Sequence, residues 1–186
     1  MKDYETFKND LGERESSNNY QCENDFGYLG RYQFGKPRLW DLGYSIDGWH
    51  PLLRGRKKII SKEDFLNNPQ LQDEIFYNHV KDLVTRIRKN YLKYYGGWYI
   101  PEAKEIVLWD QMILPSEDNI LLTESGMVAG AHLKGMGGLK KFLNGKDNTD
   151  ALGTKISEYV KRFSGYDLSN IGLKITLDKE ALKVRR

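Results

Sequence analysis

The sequence predicts a mainly α fold of the α+β kind, a helical domain with a small β element. Three observations predict it. Residues 69–95 carry an apolar stripe at helical spacing, opened by Asn68-Pro69 and stopped by Gly96-Gly97. Sixteen of the 18 glycines fall in 27–48, 96–97, 126–138 and 145–172, and so mark turns between short helices. β character is confined to short runs, EIVLW at 105–109, NILL at 119–122 and LKITL at 173–177.

The elements follow in order. A first helix runs from Asp3 to Glu15: Asp3 is a good N-cap, and Tyr4, Phe7, Leu11 and Glu15 share one face. Residues 16–35, SSNNYQCENDFGYLGRYQFG, read as loop. Pro37 opens a short helix that ends at Gly43. Ser61-Lys62-Glu63-Asp64 resembles a capping box and starts another. In the long helix, Leu71, Ile75, His79, Leu83, Ile87, Tyr91 and Tyr94 keep the stripe. Pro115-Ser116-Glu117-Asp118-Asn119 reads as a turn between two β runs. Thr123 caps a helix through Lys134, with Gly135 as its stop. Leu139–Leu143 and Lys155–Phe163 are the remaining helices, the latter closed by Ser164-Gly165.

Composition excludes several classes. The 186 residues suffice for one hydrophobic core. A net charge of +3 is not the footprint of a nucleic-acid binder, so no nucleic acid is expected. Seven Phe, twelve Tyr and four Trp argue against a disordered chain. No apolar run approaches a membrane span, so no membrane insertion is expected. The N-terminus lacks the apolar core of a signal peptide, which leads to the expectation of a soluble protein synthesised in the cytoplasm. Cys22 stands alone, and His50, His79 and His132 lack metal-ligand spacing; neither metal nor cofactor is expected.

Glu15 is the residue of most chemical interest. Phe7 and Leu11 lie one and two turns before it on the same face. If that face packs on the core, Glu15 reaches the rim of an apolar environment, where desolvation favours the protonated form. A protonated carboxyl at a helix end, beside a glycine-rich loop, suits general-acid catalysis. The alternative is a solvated glutamate near a helix end.

The residues that follow bear on this choice. Glu15-Ser16, Tyr20, Asn24, Gly27-Tyr28-Leu29-Gly30-Arg31-Tyr32-Gln33-Phe34-Gly35 and Asp41-Leu42-Gly43 stand in a fixed order. Ala131-His132-Leu133-Lys134-Gly135-Met136-Gly137-Gly138 and Gly153-Thr154-Lys155-Ile156-Ser157-Glu158-Tyr159-Val160 form two later blocks. Together they resemble the lysozyme-like superfamily, and within it the peptidoglycan-degrading muramidases and lytic transglycosylases carried by phages and bacterial secretion systems. His132-Leu133 replaces the Tyr-Asn pair of the transglycosylase motif at that place.

The resemblance implies a lysozyme-like catalytic domain over 1–168, with 169–186 as a C-terminal extension packed on it or trailing from it. It implies Glu15 as the catalytic acid acting on the β-1,4 bond between N-acetylmuramic acid and N-acetylglucosamine. Asn24, Tyr32, Gln33, His132, Gly137 and Tyr159 are the candidate substrate-binding residues, in a cleft expected between the 24–35 loop and a turn at 131–138. For each a structural role competes: Tyr32 and Gln33 as a satisfied loop pair, His132 and the glycines as a tight inter-helix turn, Tyr159 as packing. Glu23, Asp25, Asp41 and Asp47 lie near in sequence as a second carboxylate, and none is singled out by spacing. Arg54-Gly55-Arg56-Lys57-Lys58 is either a solvated basic turn or a contact to anionic wall.

The expected function is therefore that of a muramidase, with lytic transglycosylation giving 1,6-anhydro ends as the alternative and a non-catalytic glycan-binding domain as a further one. Peptidoglycan is the expected partner, and a cognate immunity or inhibitor protein a further one. Peptidoglycan lies outside the cytoplasmic membrane, so the expectation is delivery to the periplasm or cell wall by a secretion apparatus, a phage or lysis.

Overall fold

Asp3 starts the first helix as its position predicts: its carboxylate accepts the Thr6 amide at 2.9 Å. The structure, a computed structural model, describes residues 2–49, 57–94, 112–114, 120–150 and 152–171. It is mainly helical, with two small two-stranded sheets among the described residues. The chain divides into two compact units, Asp3–Val80 and the residues from Lys81 onward with the first two residues.

In the first unit, helix α1 (Tyr4–Ser16) buries Phe7, Leu11 and Gly12 and ends at Ser17, whose left-handed φ of 54° turns the chain. Helix α2 (Lys36–Asp41) carries Pro37 in its first turn, where a missing amide costs nothing. Strand β1 (Tyr44–Ile46) pairs in parallel with β2 (Lys58–Ile60), Tyr44 opposite Lys58 and Ile46 opposite Ile60. The sequence reading assigned no strands here. Three residues are too few to show a period of two, and a parallel partner comes from a remote segment. Helix α3 (Lys62–Leu66) is capped by the Ser61 hydroxyl, which accepts the Asp64 amide at 2.9 Å.

Helix α4 (Pro69–Tyr94) has Asn68 as its cap, the side chain accepting the Leu71 amide at 3.0 Å. Two adjacent rows along it are buried, Ile75, His79, Leu83 and Ile87 beside Gln72, Phe76, Val80, Val84 and Arg88. The predicted stripe is the first of these rows; Leu71 is half-buried. The first unit's core gathers Phe7, Tyr32, Phe34 and Phe76, the Tyr32 and Phe76 rings stacking at 3.9 Å between centroids. Each such side chain removed from water contributes about 1.5–3 kcal/mol.

The second unit contains the antiparallel pair β3 (Met112–Leu114) and β4 (Ile120–Leu122), helix α5 (Glu124–Leu143) and helix α6 (Ile156–Arg162). Thr123 caps α5 by accepting the Gly126 amide at 3.1 Å. The expected stop at Gly135 is a bend instead: φ is 67° and ψ 173°, and the helix resumes beyond it through the expected 139–143 segment. Close packing of α5 on α6 needs small residues. A Cβ on Gly126 would lie 2.6 Å from the Val160 carbonyl, and one on Gly130 would lie 3.0 Å from Ile156. Arg88 and Glu124 form a buried pair, Nε to Oε1 at 2.6 Å and Nη2 to Oε2 at 2.9 Å. The same guanidinium donates to the Ile171 and Leu168 carbonyls at 3.1 and 3.3 Å, which ties the last described segment to α4.

The predicted Gly96-Gly97 stop, the EIVLW run, the turn at 115–119 and the LKITL run lie outside the described residues, as does most of 169–186. Among the described residues no helix is long and apolar enough to cross a membrane.

Candidate active site

Glu15 is the penultimate residue of α1 and is half-buried. The helix end that carries it is joined to the glycine-rich loop by its neighbour: the Ser16 hydroxyl donates to the Arg31 carbonyl at 2.8 Å. Glycine in a helix interior costs about 1 kcal/mol against alanine, yet Gly12 stands in α1. The reason is Arg31, whose side chain crosses the helix there; a Cβ on Gly12 would lie 2.6 Å from Nε.

Arg31 is buried and fully engaged beneath the loop. Its guanidinium donates to Asn18 Oδ1 at 2.8 Å, to the Tyr20 hydroxyl at 2.7 Å and to Asn9 Oδ1 at 2.7 Å. Asp73 of α4 supplies the nearest opposite charge at 3.6 Å. The same carboxylate accepts the Tyr20 and Tyr32 hydroxyls at 3.0 and 2.6 Å. Burial, then the bond to Asp73, pushes the Tyr32 phenol above its ordinary range, and Tyr20 shifts the same way for the same reasons. Gln72 completes the layer. It accepts the Arg31 amide at 2.9 Å and donates to the Tyr20 and Phe65 carbonyls, both at 2.9 Å. A Cβ on Gly30, at φ 74°, would lie 2.1 Å from Gln72 Oε1, so the loop closes on that amide only with glycine there.

Tyr32 was expected at the substrate surface. It is fully buried and holds the loop from below, because its ring stacks on Phe76 and its hydroxyl reaches Asp73. Gln33, half-buried with φ 47°, donates its side-chain amide to the Gly30 carbonyl at 2.9 Å. Asn24 shapes the tip: its Oδ1 accepts the Phe26 and Tyr28 amides, each at 3.0 Å. Two rings that the sequence reading did not single out stand on this tip, Phe26 at 57% and Tyr28 at 43% exposure. A preorganised backbone that displays two aromatic faces to solvent was the available sequence signal, in Asp-Phe-Gly-Tyr at 25–28.

Three of the four carboxylates near Glu15 in sequence have other engagements. Glu23 pairs with Lys62 at 2.9 Å, Asp47 accepts the Lys62 amide at 2.8 Å, and Asp41 lies 4.0 Å from Arg38. Asp25 is exposed. Of the basic stretch 54–58, Lys57 and Lys58 are described; Lys57 lies 5.2 Å from the Trp40 ring centroid, a cation–π approach.

The remaining candidates belong to the second unit. His132 is half-buried in α5, one turn before the bend. Gly137 was expected in a tight turn where backbone is approached closely. It is helical and exposed, and a Cβ there would meet nothing within 4 Å; the bend rests on Gly135. Tyr159 is buried in α6, its ring centroid 5.5 Å from that of Phe163. Among the described residues no group of three His, Cys, Asp or Glu is placed to hold a metal ion. Comparison with family models, with curated proteins and with solved structures finds no match for this chain.

Proposed function

We propose that the protein cleaves peptidoglycan glycan strands at the β-1,4 bond between N-acetylmuramic acid and N-acetylglucosamine, with Glu15 as general acid. The bond from Ser16 to Arg31 carries this reading. It holds the Glu15 helix end against the Gly27–Gly35 loop, the two segments on which the lysozyme-like resemblance chiefly rests. A half-buried carboxyl at that rim suits an acid that protonates the leaving oxygen while an oxocarbenium-like centre develops. Phe26 and Tyr28 offer apolar faces on which a pyranose ring can stack, and Gln33 and Asn24 lie on the same loop as amide groups for acetamido arms.

The developing cation needs a partner. With Glu23, Asp41 and Asp47 engaged elsewhere and Asp25 exposed to solvent, the reading assigns that role to the substrate's own 2-acetamido group. The same observation favours a second reading, lytic transglycosylation, in which the sugar's own 6-hydroxyl replaces water and leaves a 1,6-anhydro end. The site of action is then the cell wall, reached by release, injection or a virion, and an inhibitor protein would act by covering Glu15. Mass spectrometry of muropeptides after digestion of purified walls tests the proposal. New reducing ends support hydrolysis, 1,6-anhydro ends support the second reading, and intact glycan strands refute both.

A further inference from the structure

We propose that the cavity at the bend of α5 is a binding site for paired carboxylates, such as short acidic peptides carry. It measures about 420 Å³ and is lined by Lys134, Gly138 and Lys141 of α5 and by Asp147, Asn148 and Thr149 of the segment that follows. It is an open recess with a mainly polar lining.

The cavity lies beside the bend. Gly135 adopts a conformation open to glycine alone, and Gly138 lets the Lys134 stem pass: a Cβ on Gly138 would lie 2.4 Å from Lys134 Cβ. Lys134 and Lys141 therefore rise on either side of a bare glycine. Among the described residues neither ammonium has a carboxylate partner.

The facing wall is held rigidly by its own bonds. The Asn148 carbonyl accepts the Ile156 amide at 3.0 Å, and the Asn148 side chain donates to the Lys146 carbonyl at 2.7 Å. Thr149 bridges Lys155, and Asp150 accepts the Leu152 and Thr154 amides at 2.8 and 2.7 Å. Asp147, the one carboxylate lining the cavity, is turned to α6, accepting the Ser157 hydroxyl at 2.6 Å and its amide at 3.2 Å. Two separated ammonium groups beside an amide and a hydroxyl suit a chain that alternates carboxylates with peptide groups.

The site stands without the reading of Glu15; where that reading holds, the acidic peptide stems of peptidoglycan are the source of such a ligand, and a free dicarboxylate is the other source. The test titrates the full chain, carrying Glu15→Gln so that nothing is cleaved, and follows backbone amides by NMR. The probes are a tripeptide with two free carboxylates, its bis-amide and glutarate. The expected result is that the acidic tripeptide shifts amides within 134–149, the bis-amide does not, and affinity falls as salt rises. Lys134→Gln with Lys141→Gln weakens the tripeptide by roughly tenfold at unchanged melting temperature. Glutarate binding as tightly as the tripeptide supports the carboxylate site and names the free dicarboxylate as its source. Unchanged affinity in the double variant, equal binding of the bis-amide, or absence of binding overturns the proposal. Wall digestion by the unmodified protein is scored separately, so peptide binding without glycan cleavage defeats the reading of Glu15 and spares this site.

Discussion

The Arg31 carbonyl accepts the Ser16 hydroxyl at 2.8 Å while the Arg31 side chain crosses α1 at Gly12. One residue thus ties the end of the helix that carries Glu15 to the loop from both its main chain and its side chain.

Glu15→Gln keeps the shape of the side chain and removes its transferable proton. Lysis of purified walls is expected to fall by about 10²–10⁴-fold, the range for lost general-acid catalysis, with an unchanged circular dichroism spectrum. Activity near that of the unmodified protein would end the assignment.

Gly12→Ala separates helix propensity from loop docking. Propensity alone would stabilise α1 by about 1 kcal/mol. A Cβ 2.6 Å from Arg31 Nε and from Asn18 Oδ1 opposes this, and overpacking costs about 1–3 kcal/mol. The variant is expected to be destabilised in urea and to lose more wall-lytic activity than a variant of equal stability altered in the second unit. A stabilised, fully active Gly12→Ala would show that Arg31 does not hold the loop.

Two neighbouring glycines are expected to respond in opposite ways. Gly135→Ala forces a side chain into φ 67°, ψ 173°, at a cost of about 1–3 kcal/mol. Gly137→Ala places a methyl in open space within a helix, where alanine gains up to about 1 kcal/mol. Denaturant midpoints for the pair check this, and equal midpoints would remove the bend as the reason for Gly135.

Arg88 and Glu124 are both buried and bound to each other twice. Glu124→Ala leaves an uncompensated guanidinium and is expected to cost about 3–5 kcal/mol, whereas Arg88→Met with Glu124→Leu recovers most of it. Recovery is read from equilibrium unfolding of the second unit. A negligible loss in the single variant would mean that water reaches the pair.

Asp3 predicts an acid limb. Bonds from the Thr6 amide and hydroxyl hold its carboxyl below the ordinary value of 3.8. A carboxyl depressed in the folded state contributes stability above its unfolded pKa and loses it as pH falls through the folded value. Melting temperatures of the unmodified protein and of Asp3→Ala are expected to differ above pH 4 and to converge as the pH falls further. A difference that persists at low pH would assign the cap to something other than the charge.

Helix starts were legible because capping is local: Asp3, Ser61, Asn68 and Thr123 each satisfy the amide three residues ahead, and their neighbours show it. The long stripe from Ile75 to Ile87 was legible for a like reason, since one helical period needs no partner to be seen. Glu15 at the end of the first helix, and Gly135 as an interruption, also followed from residue type and spacing. The parallel pairing of Tyr44–Ile46 with Lys58–Ile60 did not, because strand partners are chosen across sequence distance. Nor did the burial of Tyr32, the engagement of Arg31 with Asn9, Asn18 and Tyr20, or the open space around Gly137. Those depend on which surfaces meet after the helices have formed: stacking on Phe76 and the Asp73 carboxylate drew Tyr32 inward, and a bend two residues earlier left Gly137 on an exposed helix face.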